Sequence, residues 1–332
     1  NNTDSFTQGS TQGSSSINLR GLGLSSTLVL IDGKRQTLNS ATSNDGSVFV
    51  NTSAIPVIAL DRVEVLKEGA ASIYGSDAVA GVVNYILRKD FTGLEIEASS
   101  QEADISGQTD DRLGAIWGFE GEAGNFVLAL SQLNRSPMRG ADFNPSLAQL
   151  GISALGTSFL MFAPTTVETG PYAGTYGRLQ TVPDPSCVEN KGILIPVAGG
   201  QRCGFFYGDR FNVVNDEDHS SVFASFTNEL ANGVTFNMNY TMTEIDVNDN
   251  PQSPSYPALS YTVPSRAILP GQAGNPFGVP VLWLGRPLGS AFPSPFATRE
   301  IENDRFALSL SGQYNNGFSW DFSVTQSSDS VY

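Results

Sequence analysis

Histidine is almost missing from this 332-residue chain; the sole one is His219. Cysteine is nearly as scarce, at Cys187 and Cys203. No CxxC pair exists, and one histidine cannot complete a ligand set, which argues against a zinc centre. That histidine sits in the acidic run Asp216-Glu217-Asp218, so no Ser-His-Asp arrangement can be built on it. The same run is read as the wet rim of a strand, not as a cation site; no metal or cofactor is expected. No apolar run reaches the roughly 18 residues that a membrane-crossing helix needs. Basic residues are short as well: 18 Lys and Arg face 33 Asp and Glu, a net charge of −15. That balance argues against nucleic acid as a partner, because phosphate binding needs a basic footprint. Charged residues make up only 15% of the chain, against about 25% in an ordinary soluble domain. Ser, Thr, Asn, Gln and Gly stand in their place. A protein that faces lipid on one side and a polar lumen on the other needs no denser charge.

What is present falls into two regimes that meet near Phe91. Residues 1–90 mix short strands with small-residue turns and read as a small α/β unit. Its first fifteen residues are a polar, low-complexity lead-in, expected to be mobile in part. "SINLRG", "TLVLIDGK", "DRVEVLKEG" and "AVAGVVNYILRK" are strand candidates. "TSAIPVIAL" reads as a short helix with Ser53 as N-cap and Pro56 in its first turn. "AASIYG" allows one helical turn.

From residue 91 to 332 the period becomes two. In "GVTFNMNYTMT", Val234, Phe236, Met238, Tyr240 and Met242 share one face, and Thr235 to Thr243 share the other. "GFSWDFSVT", "NDRFALSLSGQY" and "GLEIEASS" alternate in the same way. Seven strands are predicted, at about 93–101, 110–120, 124–134, 217–230, 233–247, 301–314 and 317–329. Their links alternate strictly: tight hairpins at "EGEAG", "LANG" and "YNNG", and longer connections between, including 135–216 and 248–300. Alternating short turns and long loops are the habit of outer-membrane barrels. The expected fold is therefore a partial transmembrane antiparallel β-barrel of about seven strands, favoured over a soluble β domain with one wet face. Seven strands leave two open sheet edges, which lipid does not tolerate, so further strands are expected beyond this stretch. Cys187 and Cys203 share one Pro- and Gly-rich loop segment. A disulfide is favoured over two free thiols, which implies an oxidising compartment.

At this point the stretch "AIPVIALDRVEVLKEGAASIYGSDAVAGVVNYILRK", with "SINLRGLG" and "TLVLIDGKR" before it, resembles the plug domain of TonB-dependent outer-membrane receptors. The resemblance covers Ser16–Lys89 closely, and "GNPFG" at Gly274–Gly278 more loosely. It marks Asp61, Glu64, Gly69, Tyr74, Gly75, Gly81 and Asn84 as plug-signature positions. The usual plug form carries Arg and "GP" where this chain reads Lys67-Glu68-Gly69-Ala70, a variant of the pattern. The resemblance implies that the leading α/β unit, residues 1–90, is a plug domain inside the barrel, and that the protein is an active transporter of a siderophore, vitamin, glycan or peptide, energised through TonB, in the bacterial outer membrane with the plug side periplasmic and the long loops extracellular. A non-transporting surface protein on the same fold, an adhesin or assembly scaffold, is the alternative. No TonB box is visible before Ser16, and a surface lipoprotein partner is left open. The small residues of "GAASIYGSDAVAG" are expected to fit the plug against the barrel wall. Arg20 and Lys67 are candidates to pair with lumen carboxylates Glu95 or Glu97, with a solvated Lys67 as the other reading. Ligand contacts are expected on the Thr37–Ser53 excursion and on the two long loops: Tyr172, Tyr176, Arg178, Phe205, Phe206, Tyr207, Trp283 and Arg286.

Overall fold

The computed structural model describes residues 2–4, 11–43, 45–67, 69–104, 106–144, 152–153, 156–198, 200–206, 212–230, 233–249, 267–285, 298–314 and 316–332. Two compact units divide the chain. The first holds Asn1–Met138, Val213–Asn250 and Thr298–Tyr332; the second holds Arg139–Asn212 and Pro251–Ala297.

In the first unit the leading segment makes a four-stranded sheet. Its strands are β1 (Thr27–Ile31), β2 (Lys34–Arg35), β3 (Leu60–Leu66) and β4 (Gly81–Leu87), in the order β2-β1-β4-β3. β1 runs parallel to β4, and β3 antiparallel to it. β1 reads "TLVLI" without alternation and is buried at every residue. That pattern belongs to a strand covered on both faces. On one face Leu28, Leu30, Ala78 and Val82 cluster under Tyr74, whose one-turn helix Ala70–Tyr74 serves the crossover.

Seven long strands follow: β5 (Gly93–Glu102), β6 (Thr109–Gly121), β7 (Gly124–Arg135), β8 (Asp216–Leu230), β9 (Val234–Asp249), β10 (Arg299–Gln313) and β11 (Ser319–Val331). They form one antiparallel meander in chain order. The predicted spans match these strands to within about two residues at either end. The hairpins close at Gly121↔Gly124, Leu230↔Val234 and Gln313↔Ser319, all at one end of the sheet.

The two faces of this sheet carry the two halves of the alternation, and their burial is the reverse of a water-soluble sheet. On β9, Met238, Tyr240 and Met242 are exposed, whereas Asn237, Asn239, Thr241 and Thr243 are buried. Leu94, Trp117, Phe119 and Phe322 continue the exposed apolar band. Such a band is lipid-facing in an outer-membrane barrel. The polar face lies against the leading segment.

That contact is not wholly polar. Ile31, Ile55, Ile58, Ala59 and Leu87 of the leading segment pack on Ile116, Val127, Ala129 and Phe223 of the long sheet. This local apolar patch works beside charge pairs between the two, Arg88–Glu95 and Lys34–Asp321. Gly118 is required where the chain passes into the sheet: a Cβ there would lie 1.9 Å from the Phe91 carbonyl oxygen.

Three local expectations need correction. "TSAIPVIAL" makes two 3-10 turns, Thr52–Ala54 and Val57–Ala59, instead of a helix. Pro56 has no N–H to give and disfavours helical geometry at Ile55. The N-cap is Asn51, whose side chain accepts from the Ser53 N–H at 3.0 Å. The polar lead-in is buried from Thr11 to Ser16, not mobile there. Gly13 lets its backbone lie against Ile245, Val247 and Ile301, where a Cβ would come within 2.7 Å of Val247. Lastly, the small residues of the crossover fit the leading sheet itself. A Cβ on Gly81 would meet the Leu66 carbonyl at 2.6 Å, while Gly69 and Gly75 face open space.

The second unit has its own core. Ser158–Met161 pairs with Thr181–Pro183 on one side and Val281–Leu284 on the other, joining the two long excursions of the chain. Phe277 fills the centre, edge-on to Phe159, Tyr172 and Tyr176 at centroid distances of 5.2, 5.1 and 5.6 Å. Asn275 shapes the "GNPFG" turn: its amide donates to Ile268 and Val279 carbonyls, and its oxygen accepts the Phe277 N–H. Cys187 and Cys203 are disulfide-bonded.

Candidate functional site

A cavity of about 400 Å³ opens between the leading segment and strands β5–β9. Its floor is a hydroxyl cluster. Ser15 Oγ lies 2.7 Å from Thr52 Oγ1 and accepts from Ser53 Oγ at 2.9 Å, while the Ser15 N–H donates to Asn51 Oδ1. Tyr85 borders the same space; burial raises its phenol above the ordinary value, and a hydrogen bond to Thr52 opposes that. Thr243 Oγ1 donates to the Ala54 carbonyl at 2.9 Å, tying the floor to β9.

Charge gathers on the wall of this cavity, at the end of the sheet opposite the hairpins. Arg135 is bidentate to Asp110, at 3.0 and 3.1 Å, and also reaches Glu217 at 3.5 Å. Glu217 further binds Asn215 and His219, each at 3.0 Å. This network uses up most of its own polar capacity, so it shapes the cavity more than it offers free charge. Among the described residues no group of side chains could hold a metal ion. Sequence reasoning noted Glu217 and His219 but not Arg135 or Asp110; their pairing across β6, β7 and β8 has no signal in any one strand.

The plug-to-wall contacts differ from those expected. Glu95 receives Arg88, bidentate at 2.9 and 2.7 Å, instead of Arg20 or Lys67. Arg88 also lies 4.4 Å over the Phe91 ring. The reason is proximity: Arg88 and Glu95 flank the passage from β4 into β5. Glu95 holds the Arg88 guanidinium even further above its ordinary value. Arg20 sits in a 3-10 turn at φ 58°, Lys67 is exposed at the end of β3, and Glu97 lines the cavity. Elsewhere Lys34 pairs with Asp321, and the Ser40 N–H donates to Asp329 at 2.6 Å. The Thr37–Ser53 excursion also contains an exposed Asp45 lowered to about 2 by hydrogen bonds from Ser43 and Ser47.

The signature positions form their own group. Arg62 bridges Asp61 and Glu64, and Glu64 faces Asn84 across the β3–β4 pair. Asn84 accepts the Gly33 N–H at 2.8 Å. Gly69, Tyr74, Gly75 and Gly81 belong to the crossover and its ends. Glu68, Tyr207 and Arg286 lie outside the described residues. Of the other loop candidates, Tyr172, Tyr176 and Trp283 join the Phe277 core, Arg178 is exposed, and Phe205 and Phe206 end a strand spanning Gly200–Phe206. Burial, reinforced by Asp184, pushes the Tyr172 phenol up to about 12.

A small sheet seated on the polar inner face of an antiparallel wall, whose outer face is an apolar band, defines a plugged outer-membrane β-barrel. Residues 2–82 match the TonB-dependent receptor plug domain family. An iron-regulated outer membrane virulence protein of Vibrio cholerae is 41% identical over 75 residues, which is 22% of this chain and 12% of that protein. A solved ferric enterobactin receptor from Pseudomonas aeruginosa, in complex with enterobactin, superposes with a TM-score of 0.53 at 13% identity. The superposition covers 98% of this chain and 36% of that one. The likeness to the solved receptor is one of fold, and the chain spans about a third of its length. Residues 2–82 are thus similar to the TonB-dependent receptor plug domain, and the long strands that follow share the fold of that solved receptor's wall.

Proposed function

We propose that this receptor takes up a scarce or large solute across the outer membrane, with energy delivered to the plug through TonB. In this reading residues 1–90 are the displaceable plug, and residues 91–332 are the fixed wall with its loops. The carrying observation is the seating of the plug: a polar wall face buried under a separate small sheet that must move for anything to pass. The cavity floored by Ser15, Thr52 and Ser53 is the place where an incoming solute first meets the plug. Arg178 and the loop aromatics are proposed as further contacts. A ferric siderophore is the first solute to test, because both relatives concern iron; vitamins, glycans and peptides follow. Cells that depend on the whole receptor should accumulate the labelled solute only while the proton gradient is intact. Accumulation that survives an uncoupler, or its absence for every solute class, would overturn the proposal.

A further inference from the structure

A second cavity, of about 470 Å³, lies between the leading segment and strands β9–β11. Its wall side is lined with hydroxyls, Ser309, Ser311, Ser323 and Thr325 among them, and with the guanidinium of Arg305 on β10. Arg305 is only 2% exposed. A buried cation is tolerated when its donors are met and costs heavily when they are not. Here they are met in part. Nη1 donates to Asn239 Oδ1. Nε and Nη2 have no hydrogen-bond partner among the described residues. Those two nitrogens aim their N–H groups the same way, along one edge of the guanidinium. That edge is a fork that takes a carboxylate or a phosphate by two parallel hydrogen bonds.

The wall holds Arg305 in this posture. Asn239 Nδ2 donates to Asn237 Oδ1 at 3.0 Å, and Asn237 Nδ2 donates to Thr227 Oγ1 at 2.7 Å. This ladder from β9 to β8 turns the Asn239 oxygen toward Arg305 and engages Nη1 alone. Thr241 stands directly opposite Arg305 on β9. It is buried as well, and its Oγ1 has no hydrogen-bond partner among the described residues. The carboxylates around the cavity are engaged elsewhere. Asp321 pairs with Lys34, Asp61 with Arg62, and Asp32 with Lys89 at 3.4 Å and with the Leu87 N–H at 3.1 Å; Asp90 is exposed. Arg305 is the one cation lining this cavity that has no carboxylate partner among the described residues. A two-pronged donor edge left unmet, with a buried hydroxyl across the strand pair, is built for an oxyanion.

We propose that the Nε–Nη2 edge of Arg305, with Thr241 Oγ1, binds a carboxylate or phosphate group in the space between the leading segment and the wall. Two sources carry that chemistry: a small anion resident in the barrel, and an acidic group on a solute in passage. A halide offers one atom to both donors and fits the edge less well than two oxygens do. The site rests on the seating of the leading segment against the wall and not on the transport reading.

The test is the thermal unfolding midpoint of the whole receptor in lipid nanodiscs, in chloride and with chloride replaced by phosphate or acetate at constant ionic strength. Both oxyanions should raise the midpoint of the unaltered receptor, with a concentration dependence that yields a Kd. Arg305→Met should weaken that Kd by about ten-fold or more, the factor that hydrogen bonds to a charged group bring. Arg305→Lys keeps the charge and loses the fork, so it should fall between the two. An equal response in all three proteins is a general salt effect, and the site is then wrong. Should Arg305→Met fail to fold, Arg305→Lys decides alone: a Kd unchanged by it overturns the two-pronged edge, and a weaker one supports it. Native mass spectrometry of the receptor as isolated separates the sources. An anion retained by the unaltered receptor and lost from Arg305→Lys is resident; with none retained, the site serves an acidic group of the solute. Oxyanion binding in a receptor that takes up no solute keeps the site and loses the transport proposal. Uptake without any oxyanion response does the reverse.

Discussion

In strand β1 every residue of "TLVLI" is buried, while in β9 the buried residues are Asn237, Asn239, Thr241 and Thr243, with Met238 and Tyr240 facing out. The plug strand follows the rule for water, and the wall strand inverts it. Both obey the same physics. Apolar surface leaves water, but around a barrel the apolar phase is outside, so polar side chains are the ones that meet the plug. The wall turns apolar inside at two patches: Ile116, Val127, Ala129 and Phe223, where Ile55 and Ile58 of the plug lie over it, and Ile245, Val247 and Ile301, where the backbone at Gly13 does. Inward burial is therefore matched residue by residue to the plug, not set by a general preference.

The comparison can be broken most severely at the first patch. Phe223→Ala should cost about 3–5 kcal/mol, read by urea unfolding of the receptor in lipid vesicles. Met238→Ala, a comparable truncation on the lipid face, should cost far less; equal costs would mean that the inner patch is not a packed core. Met238→Arg should cost about 2–4 kcal/mol, as a cation near the middle of the lipid face does. If folding efficiency and midpoint are unchanged, the exposed band does not face lipid.

A third test separates the two compact units. Replacing Cys187 and Cys203 together by Ser should destabilise the second unit by about 3 kcal/mol, seen as faster exchange in residues 158–161 and 281–284. Exchange in β1 and β4 should stay constant. Next in size is Gly118→Ala, expected to cost about 1–3 kcal/mol because the new methyl collides with the Phe91 carbonyl. The smallest effect is on pH. Because Tyr172 titrates at about 12 in the folded loops, the stability it lends is full below the ordinary tyrosine range near 10 and is lost as pH rises toward 12. Ultraviolet titration should show a late-ionising fraction that shrinks in Tyr172→Phe; no change on that substitution would contradict the packed Phe277 core.

Much of this architecture was legible residue by residue. The strict alternation from Val234 to Thr243 located β9, and "YNNG" located the turn to β11, because side-chain period and turn chemistry are local. The partners were less legible. Glu95 was recognised as facing inward, yet its cation is Arg88, seven residues earlier, and not the more distant Arg20. Asn51 took the capping role expected of Ser53 once Pro56 broke the helix. Arg305 stands in "NDRFALSL" at an inward position of an alternating strand, but nothing in that segment names Asn239 as the acceptor of its guanidinium.

By itself the order of residues determined the number of wall strands, their alternation of faces and the disulfide-bearing loop, since each depends on neighbours a few positions apart. Tertiary structure alone decided which polar side chains would be shut away from water and what each would meet there. Those meetings join residues more than two hundred positions apart, as Lys34 and Asp321 are, and only the seating of one sheet on another brings such groups together.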